Sequence, residues 1–137
     1  MNKKNIAIIF LGDFFFDARC INMARSLLLE NCSVTIICTY KNIINYEEFK
    51  NIEFYNISLH KKGVLKYIEF HNKVAQFLKN KVFDTIVAGD LYSLSSACMY
   101  KYKYKNIIYD CREIYTELAA HYYKPLYKKV LHYYEKY

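Results

Sequence analysis

Acidic residues stand directly behind three separate apolar runs of this chain. Asp13 and Asp17 follow the run at 6–11, Asp90 follows 85–88, and Asp110 and Glu113 follow 106–109. Arg112 lies between the last two acids, and Glu117 comes one helical turn later. Carboxylates accept hydrogen bonds from hydroxyl groups. Aromatic residues close by in sequence (Phe14, Phe15, Phe16, Tyr92, Tyr115) could pack on a sugar ring. Such a mixture suits a polyhydroxylated ligand better than an apolar one.

Two other uses of the same acids stay open. Asp17 and Asp90 stand where helix N-caps are expected, and Glu113 and Glu117 are spaced for a solvated helix face. Asp13, Asp90 and Asp110 could instead gather around magnesium, since clustered carboxylates suit hard cations. The loop "LGDFFFDAR" contains only Gly12, so it is no dinucleotide fingerprint, and two carboxylates in it would repel a pyrophosphate.

These positions need a scaffold, and the apolar runs supply one. Residues 5–11, 34–39, 52–57, 85–88 and 106–109 are dense in Ile, Val, Phe and Tyr rather than alternating, as in strands covered on both faces. Helical periods lie between them. Asp17 is placed to cap a helix with Ile21, Ala24, Leu27 and Leu28 on its apolar side. Val64, Ile68, His71, Ala75 and Leu78 form a second stripe, in which His71 reads as a core or boundary histidine, and a third helix is expected over 92–102. This succession predicts one α/β domain with a single Rossmann-like, open, mostly parallel sheet, ordered about 3-2-1-4-5, with helices on both faces. In such sheets ligands bind beyond the carboxyl ends of the strands, which is where the acids fall.

The bulk composition agrees with a single domain. The chain has 137 residues, 54% apolar and 24% charged, with one proline and three glycines, which leaves no room for a flexible linker. No stretch approaches the roughly 18 apolar residues of a membrane span. The apolar run after Lys3 and Lys4 is too short for a secretory leader and is interrupted by Asp13. Five cysteines without a CxxC pair read as small buried hydrophobes in a reducing cytoplasm. Cys111 beside Arg112 is the weakest candidate, a nucleophile.

The net charge is +7, and residues 98–137 hold eight Lys/Arg against four Asp/Glu. This favours an anionic partner, whether a membrane surface or nucleic acid, without choosing between them. Tyrosines interleaved with lysine in "MYKYKYK" could stack nucleic-acid bases, but the same residues abound throughout the chain, so nucleic acid is not the expected partner. Pro125 suits a helix start, and Leu126, Val130, Tyr133, Tyr134 and Tyr137 recur at helical spacing to the last residue. Either the natural polypeptide continues or the terminal helix frays.

Three blocks, "NIAIIFLGDFFFDARCINMARSLLLENCSVTIIC", "FDTIVAGDLYSL" and "IIYDCREIYTEL", resemble in order and spacing the N-terminal domain of a family 4 (group 1) glycosyltransferase of GT-B architecture. The resemblance implies an acceptor-side domain facing a second, donor-binding domain across a cleft. It implies transfer from a nucleotide-sugar to a surface polysaccharide or glycolipid, in the cytoplasm and peripheral to the inner membrane. By position, Gly12, Asp13, Asp17 and Arg19 would line the first loop, Asp90 the cleft, and Asp110, Arg112, Glu113 and Glu117 the next loop. Such enzymes are typically retaining and independent of metal. No bound cofactor is expected beyond the nucleotide-sugar, which the donor domain holds.

Departures accompany the match. Gly89 stands where many relatives carry histidine before the aspartate, and Arg112 where many carry another histidine. Residues 1–137 correspond to the acceptor side alone, so by themselves they are expected to be inactive. The competing expectation is a non-catalytic Rossmann- or flavodoxin-like module whose acids bind a metal or a partner.

Overall fold

The computed structural model describes residues 3–40 and 47–111. Its centre is β1 (Asn5–Ile9), in which Ala7, Ile8 and Ile9 are wholly buried. Side chains alternate across a strand, so Ile6, Ile8 and Phe10 enter one apolar cluster while Ala7 and Ile9 enter another on the opposite face. β2 (Ser33–Cys38) and β3 (Ile52–Asn56) extend the sheet on one side of β1, and β4 (Thr85–Ala88) and β5 (Asn106–Tyr109) extend it on the other. Every pairing is parallel, and the order is β3-β2-β1-β4-β5. This is the expected open Rossmann-like sheet.

Local chemistry explains the helices. Asp17 caps α1 (Ala18–Leu29) by accepting from the Cys20 amide at 3.0 Å. The helix ends where Asn31 takes a left-handed φ of 56°, a conformation asparagine tolerates better than most residues. Cys20 and Ala24 are buried against β1 and β2, with Ile21, Leu27 and Leu28 packed beside them. On the other face lie α2 (Val64–Leu78) and α3 (Leu91–Cys98). His71 of α2 brings Nδ1 to 2.8 Å from Ser95 Oγ and 3.1 Å from Ser96 Oγ of α3, a polar clasp between the helices. Burial lowers its pKa.

The helices also depart from expectation. The third ends at Cys98, and Lys101–Lys103 tighten into a 3₁₀ turn before β5. In α2 the buried side chains are Phe70, Val74, Ala75 and Leu78, while Val64 and Ile68 of the expected stripe are exposed. The reason is length. Fifteen helical residues span about 22 Å, whereas the five-residue strand β1, whose Ala7 and Ile9 share the apolar cluster of α2, spans about 17 Å. The helix is anchored through its second half, so its first turns overhang the sheet.

At the amino edge, Asp84 ties three strands together. Its Oδ2 accepts from the Asn5 amide at 2.9 Å, and its Oδ1 lies 2.7 Å from Lys105 Nζ. The amide bond, then the ammonium, lower its pKa. Among the described residues no helix is long and apolar enough to cross a membrane.

Candidate functional site

Strand order reverses between β1 and β4: the chain leaves β1 towards β2 and leaves β4 towards β5. The loops beyond these two strands therefore diverge and border a crevice. The β1 loop carries Gly12, Asp13 and Asp17, the β4 loop carries Gly89 and Asp90, and Asp110 stands just past β5.

Asp90 spans the crevice. It is 9% exposed, and its Oδ2 accepts from the Leu11 amide at 2.5 Å. Its Oδ1 accepts from the Ser93 amide at 2.8 Å and the Ser93 hydroxyl at 2.9 Å. One carboxylate thus caps α3 and holds the β1 loop. The adjacent Gly89 amide donates to Ile9 O at 2.8 Å, which continues the β1–β4 ladder one residue further.

The first-loop acids act locally. Asp13 Oδ1 accepts from the Phe15 amide at 3.1 Å and caps the 3₁₀ turn Phe14–Phe16. Asp17 follows as the α1 cap. Gly12 accepts from the Thr39 amide at 2.9 Å, and a Cβ placed there would sit 3.2 Å from the Phe10 ring. The turn sends Phe14 inward, and it meets Phe15, Phe49 and Phe54 edge-on at 5.2–5.5 Å between ring centres. Phe14 and Phe15 are therefore core residues, not the sugar-stacking platform expected of them, while Phe16 remains 83% exposed. Tyr92 stacks on Tyr67 at 4.2 Å.

Asp110 differs from the other acids. Its amide donates to Ala88 O at 2.8 Å, which fixes the backbone. Its Oδ1 lies 3.3 Å from Arg19 Nη1, so the pair joins the first turn of α1 to the end of β5. The Asp110 side chain is 18% exposed and that of Arg19 56%, so the pair is open to solvent on one side. Next to it lies an open groove of about 350 Å³ on the α1 face of the sheet. Ile6, Met23, Leu27, Val87 and Ile108 make this groove apolar, and it meets the carboxyl-edge acids only at Asp110.

The chain matches no protein-family model and no curated protein. What it can do must therefore be read from its own geometry. Of the expected site residues, the structure joins Arg19 with Asp110, and joins Asp90 with the β1 loop that carries Gly12 and Asp13. Asp13 and Asp17 face their own helix starts. Arg112, Glu113 and Glu117 lie outside the described residues, as does Tyr115. Among the described residues, no group of three or more His, Cys, Asp or Glu side chains comes together to hold a metal ion. Cys20, Cys32 and Cys38 are buried as expected, and burial pushes the Cys38 thiol up to about 12. Cys98 and Cys111 are exposed, against the expectation of buried cysteines.

Sequence reasoning left out Ser93 as the second donor to Asp90. The three-residue spacing in "DLYS" was the available signal, since an N-cap acid meets the third residue of its helix. Nothing in the sequence pointed to the Leu11 amide as the far end of that bridge.

Proposed function

We propose that this chain is the acceptor-side domain of a glycosyltransferase that moves sugar from a nucleotide-sugar to a surface polysaccharide or glycolipid acceptor. The Arg19–Asp110 pair carries this reading. It sets a carboxylate that is 18% exposed beside a half-exposed guanidinium at the carboxyl edge of a parallel sheet. The carboxylate accepts sugar hydroxyls, the guanidinium fixes its orientation and can donate to a ring or acceptor oxygen, and the adjoining apolar groove takes the less polar face of a ring or an aglycone. The donor nucleotide-sugar belongs to a second domain facing this edge, so residues 1–137 alone bind acceptor without transferring sugar.

Saturation-transfer NMR on the full chain with a panel of mono- and disaccharides tests the reading. Saturation of at least one sugar that Asp110→Asn abolishes supports it. Equal spectra for the two proteins, or sugar transfer by residues 1–137 alone from a nucleotide-sugar, count against it.

One observation favours a second reading, a non-catalytic binding module. Asp13, Asp17 and Asp90 all accept from backbone amides, so scaffolding occupies three of the four expected site acids that lie among the described residues. A magnesium-dependent rise in melting temperature that Asp13→Ala removes would favour that module over the transferase.

A further inference from the structure

The overhanging start of α2 joins two properties that rarely coincide on a solvated helix. Val64, Leu65 and Ile68 are 65, 55 and 50% exposed, although each is aliphatic and the three stand within five consecutive residues. Around them are Lys61, Lys62 and Lys66, all exposed. Glu69 is the only acidic residue from Ile57 to Leu78, and its charge is already engaged. It accepts from the Lys61 amide at 2.8 Å and the His60 amide at 3.0 Å, and it pairs with Lys73 at 2.9 Å. The lysine-bearing loop is thereby held against the helix. Gly63, with φ of 59° and nothing within 4 Å of where a Cβ would stand, makes the turn between them.

We propose that this loop and the first two turns of α2 dock on an anionic lipid bilayer. Aliphatic side chains on a surface helix enter the boundary between headgroups and acyl chains, while lysines extend their stems along it and keep their ammonium groups among lipid phosphates. Two other occupants fit less well. Strand binding to nucleic acid draws on aromatic stacking, and the exposed apolar residues here are aliphatic. A symmetric contact between two copies would set these lysines against their own images. The surface also stands on the carboxyl edge, the edge that carries Arg19 and Asp110. A docked chain would turn that edge toward the headgroup layer. The proposal assigns the membrane contact to α2 rather than to the basic C-terminal third, and it does not depend on the sugar reading.

The experiment is co-sedimentation of the full chain with vesicles of phosphatidylcholine alone, or of phosphatidylcholine and phosphatidylglycerol in equal parts. Partition should favour the anionic vesicles and weaken with salt. It should fall about fivefold for each of Lys61→Gln, Lys62→Gln and Lys66→Gln, and about tenfold for Leu65→Ser. All four positions are exposed, so circular dichroism should be unchanged. Lys101→Gln with Lys105→Gln, on the opposite edge, should leave partition unaltered. Any of the following overturns the proposal: no binding to anionic vesicles, equal binding to both vesicle types, loss on Lys124→Gln with Lys128→Gln but not on the α2 variants, competition by single-stranded RNA at equal charge, or a lipid-free dimer that Leu65→Ser dissociates. Asp110→Asn separates the two readings, because it should remove sugar saturation and leave vesicle partition intact.

Discussion

The Leu11 amide donates to Asp90 Oδ2 at 2.5 Å, across the point where the strand order of the sheet reverses. The other oxygen of the same carboxylate receives both donors of Ser93. The crevice in which an open parallel sheet offers a ligand site is thus bridged by one of the chain's own acids. Asp90 is a structural part of the edge, and Asp110, with its side chain 18% exposed, pairs there with Arg19.

Asp90→Ala leaves three donors in a nearly dry place without their acceptor. Loss of the helix cap and of the loop bridge should together cost about 3 kcal/mol. Asp90→Asn should cost less, about 1–2 kcal/mol, because one oxygen can still serve Ser93 while the amide nitrogen confronts the Leu11 N–H. Urea unfolding of the three proteins should place the midpoints in the order wild type, Asn, Ala. A wild-type midpoint for the alanine variant would show that the bridge contributes nothing.

Arg19→Gln should scarcely alter stability, by at most about 1 kcal/mol, because a solvent-facing ion pair is screened and entropically costly to hold. Its effect should fall on sugar binding, where the carboxylate loses its orienting partner. A change in melting temperature as large as that of Asp90→Ala would instead make Arg19 part of the scaffold.

Three consecutive phenylalanines should respond very differently to truncation. Phe14→Ala empties the centre of an aromatic cluster and should cost about 3–5 kcal/mol. Phe16→Ala, at an exposed position, should stay within about 0.5 kcal/mol. Chemical denaturation decides between this contrast and a uniform response.

The Lys61 amide, the Lys73 ammonium and the His60 amide hold the Glu69 carboxyl down to about 2, from an ordinary value of 4.5. A depressed acid contributes its stabilisation fully above the unfolded value and loses it as pH falls through the folded one. Protection of the His60 and Lys61 amides from hydrogen exchange should therefore persist above pH 4.5 and disappear between there and about pH 2. Glu69→Gln should reduce this protection near neutral pH and flatten its acid dependence. Retained acid dependence in that variant would assign the titration to another group.

Much of the architecture was legible because it rests on short-range rules. The runs at 85–88 and 106–109 became strands with those same bounds; 85–88 is buried as a strand covered on both faces should be, whereas 106–109, at the edge of the sheet, keeps Asn106 and Ile108 exposed against that expectation. Asp17 and Asp90 were legible as caps, because a carboxylate before a helical period satisfies amides two or three residues on. The parallel order followed from the succession of strands and helices.

What the sequence determined by itself was the five strands, their order in the sheet, and the edge at which the acids collect. Only the tertiary structure decided what each acid does there. Asp90 closes the crevice because Leu11, 79 residues away, presents its amide to it. Asp110 becomes a candidate ligand group because Arg19, on another element, reaches it. The apolar period at Val64 and Ile68 matches that of a buried helix face, and only the mismatch between a fifteen-residue helix and the five-residue strand β1 leaves it in solvent. Local preferences act along the chain, whereas these assignments depend on distances between elements that one-dimensional spacing does not contain.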